Sequence, residues 1–143
     1  MLRKILPTAK IVSLIGRDDR SPGEVAELEK NGALVLPLRN LESHLLADDV
    51  IEALVMKEQK QSLLEGARQI KADALAASVS RGNPLDNLKF ASGESYTGLK
   101  KLLSLQRCGN DADAFMKDTL APLITPSLPT FEDLKKAIVE RIV

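Results

Sequence analysis

Lys10-Ile11-Val12-Ser13-Leu14-Ile15 and Ala33-Leu34-Val35-Leu36 are two short, mostly apolar runs, rich in branched residues and separated by Gly16-Arg17-Asp18-Asp19-Arg20-Ser21-Pro22-Gly23-Glu24 and a charged stretch. A short run of this kind suits a strand covered on both faces. The segment between them carries a helix-start signature. Ser21 can accept from free amides, Pro22 suits the first helical position, and Glu24 can complete a capping box. The helix is predicted to run to about Asn31, with Gly32 as its left-handed stop. Pro37 ends the second run. Strand, helix, strand with short connections is a βαβ unit, and its right-handed crossover makes the two strands parallel.

After Pro37 the period changes from strand to helix. Asp49 and Glu52 offer a capping box ahead of a stripe of Val50, Ile51, Leu54 and Val55. Leu63, Ala67, Ile70, Ala74 and Ala77 share one face of a long helix closed by Gly82 and Pro84. Ser92 is placed to cap a helix carrying Tyr96, Leu99, Leu102 and Leu103, which Gly109-Asn110 ends. Asp111 or Asp113 opens a short helix with Phe115, Met116 and Leu120, stopped near Pro122. Residues 124–129 form a connector. Thr130 with Asp133 starts a last helix, with Phe131, Leu134 and Ile138 on one face. The expected fold is therefore α/β: a small parallel βαβ sheet over residues 1–46, then a mainly helical region over 47–143 that packs on one face of the sheet.

Composition narrows the function. The chain has 143 residues, 44% of them hydrophobic, so it can bury a core; aromatics are only 3%, so that core is aliphatic. Lys+Arg and Asp+Glu are equal at 20 each, which argues against a broad nucleic-acid-coating surface but leaves room for a local basic patch. One cysteine, Cys108, excludes an intrachain disulfide and fits a reducing cytosol. No apolar run approaches the roughly 20 residues of a membrane span, and Met1–Ala9 lacks the apolar core of a secretory signal. A soluble, cytoplasmic protein with no membrane partner is expected. No Gly-x-x-x-x-Gly-Lys-Ser/Thr loop occurs, so ATP binding by that route is not expected.

In parallel sheets, functional loops lie at the carboxyl ends of strands. Asp18 and Asp19 sit in such a loop and can offer hard oxygen ligands to a divalent cation such as Mg²⁺. Glu42, just past the second strand, would stand at the same sheet edge. Asp18 with Glu42 has the makings of a two-carboxylate site for metal-assisted phosphodiester chemistry. The alternatives are a solvated acidic loop that caps a helix, and a helix-start salt bridge of Glu42 with Arg39 or Arg17. Arg17, Arg20, Lys100, Lys101 and Arg107 are the candidate phosphate contacts, against the alternative of solvated surface charges. His44, the lone histidine, and Cys108, with no second Cys or nearby His, suggest neither a zinc site nor a thiol nucleophile.

The run Ile15 to Glu24, followed by Arg39-Asn40-Leu41-Glu42 and Leu45-Leu46, resembles the Toprim-like region of bacterial AAA/ABC-type ATPases related to the overcoming-lysogenization-defect nucleases. Ala91-Ser92-Gly93-Glu94-Ser95-Tyr96, Gln106-Arg107-Cys108-Gly109-Asn110 and the run Ala114 to Pro122 resemble the helical tail of the same proteins. The resemblance implies a nuclease-type domain in which an Asp-x-Asp motif and a separate Glu hold metal. Asp18 matches the second Asp of that motif, and Glu42 matches the acidic residue after the next strand. Gly16 stands where the first Asp belongs, and the early Glu would fall before Met1. The expectation is a truncated or degenerate Toprim-like domain acting in assembly or nucleic-acid transactions, with at most weak Mg²⁺ binding. An active Mg²⁺-dependent nuclease using Asp18, Asp19 and Glu42, and a plain helical interaction module, are the alternatives. Two strands make a poor sheet. Extension by residues upstream of Met1 in a longer protein, or by another chain, is therefore expected, and an ATPase module encoded upstream is a candidate partner. A homodimer is expected to form through Leu2–Ile15 and Ala33–Leu36.

Overall fold

The computed structural model describes residues 12–142. It has two strands, β1 (Ser13–Ile15) and β2 (Ala33–Val35), paired in parallel with Ser13 opposite Ala33, Leu14 opposite Leu34 and Ile15 opposite Val35. Between them runs α1, Pro22–Lys30. Its start is the predicted one: the Ser21 hydroxyl accepts from the Glu24 amide, and the Glu24 carboxylate accepts from the Ser21 amide. Gly32 adopts φ +91°, the left-handed stop that a glycine reaches without steric cost. Every assigned element after β2 is helical. These are α2 (Leu41–Leu45), α3 (Asp48–Lys57), α4 (Leu64–Ser80) and α5 (Ser92–Leu102). Then comes α6 (Ala112–Phe115), which widens to a π-helix over Met116–Leu120. The last helical stretch starts as α7 (Pro129–Leu134), continues as a π-helix over Lys135–Val139 and closes at Glu140–Ile142. The chain is thus mixed α/β, mostly helical with a small parallel sheet. No helix among the described residues is long and apolar enough to cross a membrane.

The core belongs to the helices. Leu46, Val50, Ile51, Leu54 and Val55 pack with Ala67, Ala74, Leu99, Leu103, Phe115 and Leu120 in one buried cluster that leaves out β2. The predicted stripe of α3 is thus buried, and α4 presents the small residues Ala67 and Ala74 to it. Small side chains there let α5 approach closely.

Several expectations change. Lys10 and Ile11 lie outside the described residues, and β1 is not covered on both faces: Ser13 and Leu14 are exposed, Leu14 at 45%. Residues 33–36 are buried within the chain. Leu2–Ile11 lie outside the described residues. β2 packs against α1 and the last helical stretch. Arg141 of that stretch pairs with Glu29 of α1 and ties the two together.

Three caps also differ. Asp49 does not cap α3; its carboxylate accepts from the Thr130 amide (2.9 Å) and hydroxyl (2.7 Å), at the start of α7. Thr130 is therefore a donor inside α7 rather than its cap. Ser92 is the first residue of α5, not its cap, and its hydroxyl donates to the Lys89 carbonyl. Moreover, α5 stops at Leu102 rather than near Gly109, because Ser104 and Arg107 take left-handed φ values of 50° and 54° and fold the chain back. Asp111 does cap α6, accepting from the Ala114 amide at 2.8 Å.

Candidate functional site

Beyond the carboxyl ends of β1 and β2, the loop Gly16–Arg20 lies against Leu38–Asn40. The Asp18 amide donates to the Arg39 carbonyl at 2.9 Å, and the Arg17 amide reaches the Leu38 carbonyl at 3.4 Å. Asp18 takes φ +49°, a left-handed conformation that Asp tolerates better than most residues. The approach is close enough to demand a glycine at position 16. A Cβ there would stand 2.5 Å from the Arg39 carbonyl oxygen and 3.2 Å from the Asn40 Cα, both backbone atoms. The glycine at position 16 is thus built into the packing of the two loops.

The acidic side chains of this loop are engaged by guanidinium groups. The Arg20 Nη1 donates to Asp18 at 3.0 Å and to the Gly16 carbonyl at 2.7 Å. Arg39, its side chain only 11% exposed, donates Nη1 to Asp19 at 2.6 Å and Nε to Asp86 at 2.7 Å. Asp86 also receives Arg17 at 3.3 Å. The Asp86 and Asp19 carboxylates hold the Arg39 pKa above its ordinary value, Asp86 contributing more, so that guanidinium stays charged. Next to it Asn40 caps α2, accepting from the Ser43 amide at 3.0 Å, and its Nδ2 donates to Asn87 at 3.2 Å. The Ser43 hydroxyl lies 2.7 Å from the Asn40 Oδ1 and 3.2 Å from the Asp86 carbonyl. The loop after α4 is thereby fastened to the sheet end.

Asp18 and Glu42 do come to one place. Both line a hollow of about 390 Å³, together with Leu14, Leu41, Lys89 and Phe90. Asp19 does not line it; its carboxylate turns to Arg39. The Glu42 carboxylate has no ion-pair or hydrogen-bond partner among the described residues, so the salt bridge considered for it with Arg39 or Arg17 is replaced by those of Asp86 and Asp19. Of the candidate phosphate contacts, Arg17 and Arg20 are the two arginines already paired in this loop. Lys100 and Lys101 stand elsewhere, in the last turn of α5, where positive charge complements the helix end. Lys100 lies 5.6 Å above the Tyr96 ring. Sequence reasoning missed Asp86 altogether, since no local pattern links positions 39 and 86.

Mg²⁺ asks for near-octahedral oxygen donors from carboxylates with free lone pairs. Asp18 and Asp19 each already face a guanidinium, and no group of three or more His, Cys, Asp or Glu side chains converges among the described residues. Asp18 and Glu42 are the two carboxylates that share a hollow there. Away from the loop, Cys108 is buried as a free thiol. His44 is buried in α2 with its Nε2 lacking a hydrogen-bond partner, and burial pushes its pKa down while Asp133 pulls it up less strongly. Comparison with protein-family models, curated proteins and solved structures returns no match.

Proposed function

We propose that the chain is a degenerate Toprim-like domain that serves in assembly, by itself or beside an ATPase partner, and does not cut nucleic acid. The observation that carries this is the guanidinium clamp. Arg20 and Arg39 occupy Asp18 and Asp19, and Arg39 and Arg17 together hold Asp86. Each of these carboxylates thus spends an oxygen on a guanidinium that ties the loops at the sheet end together. The packing at Gly16 adds to the case, since it closes the position from which a further carboxylate would complete a metal site. One observation favours the competing nuclease: Asp18 and Glu42 share a hollow beside Lys89.

A calorimetric titration with Mg²⁺ and Mn²⁺, paired with a plasmid-nicking assay in the same ions, separates the two. We expect no saturable binding at micromolar concentrations and no nicking. Tight Mn²⁺ binding that disappears in Asp18→Ala, or nicking that disappears in Glu42→Gln, would overturn the proposal in favour of a metal-dependent nuclease.

A further inference from the structure

A second surface is built differently from the clamp. An apolar groove of about 620 Å³ opens between α2, α6 with its π-helical continuation, and the last helical stretch. Leu45, Met116, Ile124, Phe131, Leu134 and Ile138 line it, and two of its lining residues are well exposed, Leu41 at 43% and Val139 at 52%. Four charged residues also line it: Glu42, Asp113, Lys117 and Lys135. None of the four has an ion-pair or side-chain hydrogen-bond partner among the described residues, whereas Arg17, Arg20 and Arg39 at the sheet end are paired. Asp113 and Lys117 even have the spacing at which charges pair on an α-helix. Here the helix widens at Met116 and they do not meet.

The pattern of free charge selects the occupant. Nucleic acid would meet two carboxylates in the groove. A small apolar molecule would fill the space and leave four charges unmatched. A surface that binds its own copy about a twofold axis must be complementary to itself, each acid of one copy facing a base of the other. Two carboxylates and two ammonium groups around an apolar lining meet that condition, and Leu41 and Val139 supply exposed apolar side chains to enter the opposite groove. We infer that this groove is the interface of a homodimer, with Glu42 and Asp113 of one protomer facing Lys117 and Lys135 of its partner. The inference rests on the assembly role proposed above and names both the partner and the surface.

Charge reversal on whole chains tests it. One variant carries Glu42→Lys with Asp113→Lys, leaving a wholly basic groove; the other carries Lys117→Glu with Lys135→Glu, leaving a wholly acidic one. Sedimentation equilibrium should give the wild type a mass of twice 15.6 kDa in the micromolar range. Each variant alone should dissociate with a Kd raised at least about tenfold, because like charges then face each other. An equimolar mixture of the two should regain the dimer. That recovery also shows that both variants fold. A wild type that stays at 15.6 kDa, or a dimer indifferent to both variants, would overturn the inference. So would a monomer that binds the dye anilinonaphthalene sulfonate and loses that binding in Ile138→Asp, which assigns the groove to a small apolar ligand. Metal binding or nicking alongside an intact dimer would refute the proposed function alone; failure of the dimer with no nicking would refute only this interface.

Discussion

Substituting Gly16 is the sharpest test of how the sheet end is built. In Gly16→Asp, the new Cβ would start 2.5 Å from the Arg39 carbonyl oxygen and 3.2 Å from the Asn40 Cα. Both are backbone atoms, so relief means parting the two loops. Forcing extra atoms into a packed site costs about 1–3 kcal/mol. Parting the loops also weakens the bonds from Asp18 to Arg39 and from Arg17 to Leu38, about 1 kcal/mol for each. Against this, replacing glycine restricts the unfolded chain and returns about 0.4–1 kcal/mol. The net expectation is a loss of about 2–4 kcal/mol. Gly16→Ala should lose nearly as much, because the Cβ makes the collision and the carboxylate does not. Urea unfolding followed by circular dichroism, at constant m-value, measures both. If Gly16→Ala changes stability by less than about 0.5 kcal/mol, the close approach is not a constraint. If Gly16→Asp is instead stabilised by added Mg²⁺, the position is open to a metal ligand and the nuclease gains support.

Two further outcomes follow from the same geometry. Asp49→Ala should destabilise the chain by about 2–4 kcal/mol, because it strips a charged acceptor from the amide and hydroxyl of buried Thr130. Urea midpoints for Asp49→Ala, Thr130→Val and the double variant should show a coupling of about 1 kcal/mol or more, and strict additivity would mean the two residues do not support each other. For His44, burial sets the folded pKa below the unfolded value of 6.5, so the unfolded chain takes up the proton first. Stability from this group is complete above about pH 6.5 and falls as the pH drops below it, by at most about 1.4 kcal/mol per pH unit. His44 is the only histidine, so His44→Leu should flatten unfolding free energies between pH 5 and 6.5. An unchanged slope would place the titration elsewhere.

What could be read from the sequence was local. Ser21, Pro22, Glu24 and Gly32 act within one turn of their own positions, and the helix between the strands formed as they imply. Val50, Ile51, Leu54 and Val55 share a face by helical period, and that face is buried. The failures involve distance along the chain. Asp49 had the right spacing to cap α3, yet Thr130, 81 residues away, competes for it and holds it with two donors. The stop of α5 at Leu102 depends on left-handed turns at Ser104 and Arg107, residues with no turn signature of their own. The acidic pair at 18 and 19 was visible as a candidate site. Its pairing with Arg20 was within local reach, but the reach of Arg39 to both Asp19 and Asp86 depends on how the loop after α4 returns to the sheet.

That return also brings positive charge to the acidic loop. Carboxylates gathered at the carboxyl end of a parallel sheet repel one another and need positive charge among them. A divalent cation can supply it, and so can a guanidinium, whose planar fork bonds two carboxylates at once and does not deprotonate. Here Arg39 bridges Asp19 and Asp86 while Arg17 adds a second contact to Asp86, so the charge is provided from within the chain. The pairing also has a structural return. Arg39 sits in the loop after β2, Asp19 in the loop after β1, and Asp86 after α4, so one nearly buried side chain fastens three segments. With Gly16 pressed against the Arg39 carbonyl, the same residue is fixed through both its backbone and its side chain. Under the assembly role proposed above, the acidic loop at the end of this sheet works as a joint between these three segments.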